Sequence, residues 1–204
     1  MSSSRRRNKN KQFTSIDDTE EYDKQLKSYL QNQGLYYIDI PTDGSCLFHS
    51  ISDQFYGNTS KNKLLRQQSC DYIQSNAELY ENFLDDETMS LYINRMRNQS
   101  TYGGHIELSA ISNIYKVNIK VIQVDFEFII TPNNIKTDKY IHLAYHNYEH
   151  YSSIRFNNTQ HAGLLKDSIS PDMISSTADQ PRSKKANRKQ QKKENRRVTR
   201  SMKK

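Results

Sequence analysis

The chain has 204 residues, 34% apolar and 26% charged, with 30 Lys and Arg against 23 Asp and Glu. That length holds one core-forming domain plus tails, and the polar balance requires the core to be compact. Two cysteines exclude a disulfide framework or a Cys-based zinc site, no run approaches the roughly 18 apolar residues of a membrane span, and the Ser/Arg-rich start lacks a signal-peptide core.

The net charge of +7 is unevenly spread. Residues 5–11 carry five basic side chains and residues 182–204 carry twelve with the single acid Glu194, which leaves about −9 on residues 12–181. Free thiols in an acidic body with basic ends fit a reducing, cytoplasmic or nuclear setting. No CxxC or HExxH spacing occurs, so no metal is expected.

Residues 1–15 read as a disordered basic tail with almost nothing to bury. Asp17 with Glu20 three residues later is a capping-box signal. Tyr22, Leu26, Tyr29 and Leu30 then form a helical stripe that Gly34 ends, giving a leading helix over 16–34. Leu35 to Ile40, bounded by Gly34 and Pro41, predicts a short strand.

The next stretch, Asp43-Gly44-Ser45-Cys46-Leu47-Phe48-His49-Ser50, reads as a turn delivering a cysteine onto the first turn of a helix. Gly44 permits backbone geometry that a side chain would obstruct, and Ser45 suits an N-cap. Leu47, Phe48, Ile51 and Phe55 recur at helical spacing, with Gly57 as the stop. Cys46 is therefore expected among free backbone N–H groups at the positive end of a helix dipole, which would lower its thiol pKa from roughly 8.5.

Leu64, Leu65, Tyr72 and Ile73 predict a helix over 62–76, in which Cys70 reads as a small buried hydrophobe. Met89, Tyr92, Ile93 and Met96 form another packing stripe. Residues 97–104 read as a loop with a Gly-Gly hinge, and Ile106, Ala110 and Ile114 restart a helix. Val117, Ile119 and Val121 alternate as a strand; Phe126 to Ile130 is a second; Tyr140, Ile141, Leu143 and Tyr145 make a third, running into 146–155. Helices first and strands later predict an α+β domain. Beyond about residue 158 the apolar periodicity stops and a solvated Lys/Arg-rich tail follows.

A cysteine nucleophile needs a base and a group that orients the base. Of six histidines, His49 shares the helix of Cys46 and points poorly for proton transfer, and His161 falls in the tail. His142, His146 and His150 lie at or beyond the end of one strand, and spacing does not choose among them.

The stretch from Asp43 to Ser50 closely resembles the DGxCLFxS/A signature of the ovarian tumour (OTU) family of cysteine deubiquitinases. Tyr102-Gly103-Gly104-His105-Ile106-Glu107-Leu108 resembles that family's WGG-x-x-E-L segment, and Glu149-His150-Tyr151-Ser152-Ser153-Ile154-Arg155 its EHYDSVR segment. Three segments in order, over roughly residues 35–158, imply a papain-like α+β catalytic domain with tails at 1–15 and 159–204. The resemblance implies Cys46 as nucleophile, His150 as general base, Asp43 in the catalytic set, and backbone N–H groups of Gly44, Ser45 and Cys46 as an oxyanion hole. Tyr102, Gly103 and Gly104 would line a narrow substrate cleft. Ser152 stands where many members carry Asp or Asn, leaving an uncharged hydroxyl as the possible orienter.

The implied reaction is hydrolysis of ubiquitin conjugates, with ubiquitin or polyubiquitin as partner and no cofactor. The alternative is a catalytically weak or inactive ubiquitin-binding module. In either case the basic tail reads as a nuclear-targeting run or a merely solubilising one, and with less weight as a weak nucleic-acid contact through counterion release.

Overall fold

Helix α1 (Ile16–Asn32) lays Leu26 and Leu30, one turn apart, fully buried against a sheet. The computed structural model describes residues 16–84, 86–124, 126–147 and 149–157. The two basic tails, His161 and the side chain of Asp17 lie outside the described residues. After β1 (Leu35–Ile38) come α2 (Cys46–Tyr56), α3 (Asn62–Ser75), α4 (Met89–Met96) and α5 (His105–Tyr115), then β2 (Asn118–Ile122), β3 (Glu127–Ile130), β4 (Tyr140–His146) and β5 (His150–Phe156).

The described strands form one sheet in the order β1-β5-β4-β2-β3. Only the β2–β4 pair is parallel; the other pairs are antiparallel. The α+β expectation is met. One strand was not legible from apolar period: β5, which the sheet encloses between β1 and β4. Its run His150-Tyr151-Ser152-Ser153 is polar yet buried, because side chains on both faces find partners.

Among the described residues, apolar clusters tie the helices to one another and to the sheet. Leu26, Leu30, Leu35, Ile122, Ala144 and Ile154 join α1 to the sheet. Cys70, Ile73, Tyr80, Tyr92, Ile93, Met96 and Ala110 join α3, α4 and α5. Cys70 and the methionine-bearing stripe of α4 are thus packing residues, as their spacing predicts.

The helix that begins at Cys46 is fastened to β5 by a buried polar network. Asp53 accepts from Arg155 and, at 2.6 Å, from the Ser153 hydroxyl. Gln54 donates to Ser153 Oγ at 2.7 Å and to the Ile154 carbonyl at 2.6 Å, and accepts from the His142 N–H at 2.8 Å. These bonds, charge-assisted at Asp53, are directional in a dry setting, so the C-terminal half of α2 is fixed to the second half of β5. At that same end α2 stops at Gly57, whose φ of 72° places the left-handed residue that helix termination favours.

Candidate active site

The turn before α2 is held from three sides. Gly44 has φ +83°, and a Cβ there would collide with the Ser100 carbonyl and lie 2.8 Å from Ser100 Cα. No side chain can be accommodated, on backbone and on steric grounds. Asp43 Oδ1 accepts from the Ser45 N–H at 2.9 Å, and Oδ2 lies 3.1 Å from His49 Nε2. Burial acts to raise the Asp43 pKa, but the bonds from His49 and the Ser45 N–H outweigh it and hold the carboxyl below its usual range.

Ser45 occupies the N-cap position but makes no capping bond with its side chain. Its hydroxyl donates instead to the Gln99 carbonyl at 2.7 Å and accepts from Arg66 at 3.0 Å. Tertiary partners have displaced the local cap. Arg66 is the residue that sequence reading passed over. It is 1% exposed. Its guanidinium donates to the Gly44, Gln99 and Met96 carbonyls at 3.0–3.1 Å and stacks 4.3 Å from the Phe48 ring centroid. It thereby ties the cysteine turn to the loop at 97–104. The signal was present: Arg66 lies on the buried stripe of α3, three, four and seven residues before Ser69, Cys70 and Ile73.

Cys46 begins α2 and is 1% exposed. Burial pushes its thiol up, and the N–H groups of Tyr151, Leu47 and Cys46 itself do not compensate. The expected depression is therefore corrected. The helix-start donors are in place, but desolvation of a thiolate beside the Asp43 charge outweighs them. Of the groups that favour the thiolate, the Tyr151 backbone amide at the start of β5 acts most strongly.

His150 opens β5 and is 9% exposed. Burial lowers its pKa, while the Ile40 carbonyl accepting from its ring and the charges of Glu149 and Asp39 oppose the shift. Two expected contacts take a different form. Asp43 is paired with His49, which the sequence reading had set aside as a base. Ser152 does not turn to His150; its hydroxyl lies 3.0 Å from His146 Nε2. Strand alternation puts His150 and Ser152 on one face, and His146, directly opposite His150 in the register, meets the hydroxyl there.

The 102–104 segment divides by role. A Cβ on Gly103 would lie 2.8 Å from Leu47 Cδ2, so the half-buried Gly103 approaches the start of α2 more closely than a side chain would allow. Tyr102 and Gly104 line a cavity of about 740 Å³ with Phe83, Arg95 and His105. Cys46 and His150 do not line this cavity. Glu107, 1% exposed, reaches back to the Gly104 N–H at 2.7 Å and accepts from the Tyr92 hydroxyl, capping α5.

Comparison with known proteins agrees with this arrangement. The family model described as OTU-like cysteine protease matches residues 41–162. OTU domain-containing protein 5 of Xenopus tropicalis is 32% identical over 130 residues, which are 63% of this chain and 25% of that protein. Ubiquitin thioesterase otu2 of Schizosaccharomyces pombe is 34% identical over 148 residues, 65% of this chain and 49% of that protein. The chain thus spans between a quarter and a half of these relatives. The OTUD1 OTU domain superposes with a TM-score of 0.62 at 20% identity, covering 69% of this chain and 98% of that domain. An OTU domain solved in complex with ubiquitin gives 0.55 at 26% identity, covering 62% and 73%. With a buried cysteine at a helix start, a histidine at the head of the facing strand, and a family match across both, the chain belongs to the OTU-like cysteine proteases.

Proposed function

We propose that this chain is a deubiquitinase that hydrolyses isopeptide bonds between the ubiquitin C-terminus and lysine. The observation that carries the reading is the family match over residues 41–162, which takes in both Cys46, buried at the start of α2, and His150 at the head of β5. A relative named as a ubiquitin thioesterase and a fold neighbour solved with ubiquitin support the substrate class. His150 takes the Cys46 thiol proton as the sulfur attacks the carbonyl carbon, and then gives that proton to the departing lysine amine as the C–N bond breaks. The thioester is then hydrolysed by a water whose proton His150 takes. No cofactor is needed.

Because the Ser45 N–H is committed to Asp43, we assign the oxyanion to the N–H groups of Gly44 and Cys46. Asp43 serves in this reading as a clamp on the turn and a partner of His49. We further assign the Lys/Arg-rich run 182–204 to nuclear targeting or to non-specific phosphate contact. Deleting it should abolish salt-dependent nucleic-acid binding and leave cleavage intact.

The experiment is covalent trapping by ubiquitin bearing a C-terminal electrophile. Wild type should form an adduct, Cys46→Ser none, and His150→Ala only a slow one. A folded wild type that binds ubiquitin without forming the adduct would replace this reading with that of an inactive ubiquitin-binding module.

A further inference from the structure

Ser152 is 1% exposed, and its hydroxyl is directed to His146. His146 is itself 6% exposed and constrained on several sides. Its ring stacks on Tyr37 of β1, with centroids 4.7 Å apart and planes 24° apart. Its Nδ1 lies 3.5 Å from Asp23 Oδ1 on α1. The Tyr37 hydroxyl donates to that same carboxylate, and Lys27 Nζ sits 2.7 Å from its other oxygen. The remaining side of the His146 ring meets His150, with centroids 5.1 Å apart and planes 81° apart. Strand pairing fixes this contact, since His146 and His150 are opposite one another in the β4–β5 register.

We infer that His146 is the positioning residue for His150, taking over the orienting duty that Ser152 does not perform, and that Asp23 and Tyr37 hold it in place. The inference rests on the proposed hydrolytic role of His150. The 3.5 Å approach of Nδ1 to Asp23 is electrostatic and not a hydrogen bond, so the ring is held by its stacking on Tyr37 and by the Ser152 hydroxyl at Nε2. These contacts give the ring one orientation. Burial and the neighbouring His150 keep it neutral down to about pH 4, with Asp23 opposing them. Neutrality matters here, because a second imidazolium would repel the one that forms on His150 during attack. The charged and titratable groups around it are Asp23 and Lys27 from α1, Tyr37 from β1, and His150 from β5. Asp23 and Tyr37 precede residue 41, where the family match begins, so the base is oriented by residues outside that match.

The test compares wild type, His146→Ala, Ser152→Ala, Asp23→Asn and the double variant His146→Ala/Ser152→Asn in the full chain. Turnover of a ubiquitin C-terminal amide is measured from pH 5 to 9 (an interval of about 4 units around the ordinary His range), alongside trapping by electrophilic ubiquitin. His146→Ala should lower kcat about 10- to 100-fold with KM nearly unchanged, as expected for a displaced base. Restoring an amide at 152 in the double variant should recover most of that loss. Ser152→Ala and Asp23→Asn should each give smaller falls in kcat, and they decide the matter if His146→Ala does not fold. Unchanged kcat in all of them, or a loss in His146→Ala that asparagine at 152 does not recover, overturns the inference. Should wild type neither turn over nor label, the hydrolytic reading fails separately. The three-bond couplings of the His150 side chain then decide. A single χ1 rotamer in wild type that averages in His146→Ala supports the positioning role, and couplings unchanged by the substitution overturn it.

Discussion

Replacing Arg66 by Met should release the turn that carries Cys46. In Arg66→Met the Ser45 hydroxyl and the Gln99 carbonyl still satisfy each other at 2.7 Å. The Gly44 and Met96 carbonyls, by contrast, lose the guanidinium that bonds them at 3.1 and 3.0 Å. A buried acceptor left without a donor costs about 1–3 kcal/mol, so two cost about 2–6. Relief from burying a charge among neutral partners works the other way, as does the packing of the Met side chain. A net loss of about 3 kcal/mol is expected. Because one of the freed carbonyls belongs to Gly44, turnover should fall further than stability explains. Arg66→Lys keeps the charge but loses the planar fork, and should fall between the two. Urea unfolding followed by circular dichroism gives the stability, and kcat is read well below the midpoint. A Met variant within about 0.5 kcal/mol of wild type and fully active would refute the reasoning.

Four further outcomes follow from the geometry. The His146 pKa is drawn from 6.5 down to about 4 by burial and by His150, so the unfolded chain takes up a proton before the folded one. Stability should therefore fall by about 3 kcal/mol as pH drops from about 6.5 to about 4 and level off below, and His146→Phe should remove that slope; a slope that persists in the variant would show another group is responsible. Gly44→Ala, strained at positive φ and in collision with Ser100, should lose more than about 2 kcal/mol and its turnover, so an unchanged melting temperature would contradict the turn geometry. Asp43→Asn keeps an acceptor for the Ser45 N–H and should retain much more turnover than Asp43→Ala, whereas equal damage would mean the charge itself is required. Cys70, buried with its thiol pushed up to about 11 chiefly by burial, should resist alkylation until the chain unfolds; rapid labelling of native Cys70 would show the α3–α5 core to be open.

Much of the fold could be read from periodicity because most elements bury one apolar face. The stripe Leu47, Phe48, Ile51, Phe55 marks α2, and Leu26 with Leu30 marks α1. β5 escaped because its burial is achieved by polar pairing, with Ser152 on His146 and Ser153 on Asp53 and Gln54. Cys46 and His150 were legible as motif residues, but their partners were not. Asp43 lies six residues from His49 in sequence, and no local pattern says that it will choose that ring. Arg66 could have been found, since a charge on a buried stripe requires partners, and four acceptors supply them. His146 needed the strand register, which brings it opposite His150.

The pairing of β1 with β5 has a consequence for the life of the chain during synthesis. Residue 35 finds its partner only at residue 156, and the strand that carries His150 and Tyr151 sits in the interior of the sheet. Closing so long a loop is entropically costly before any contact rewards it, so folding of this domain should be slow for its size. Until β5 inserts, α2 lacks its anchor at Asp53 and Gln54, and Cys46 is an ordinary solvent-exposed thiol. Nascent protein is thus inactive by topology, and its cysteine is most open to oxidation in the interval before the last strand docks.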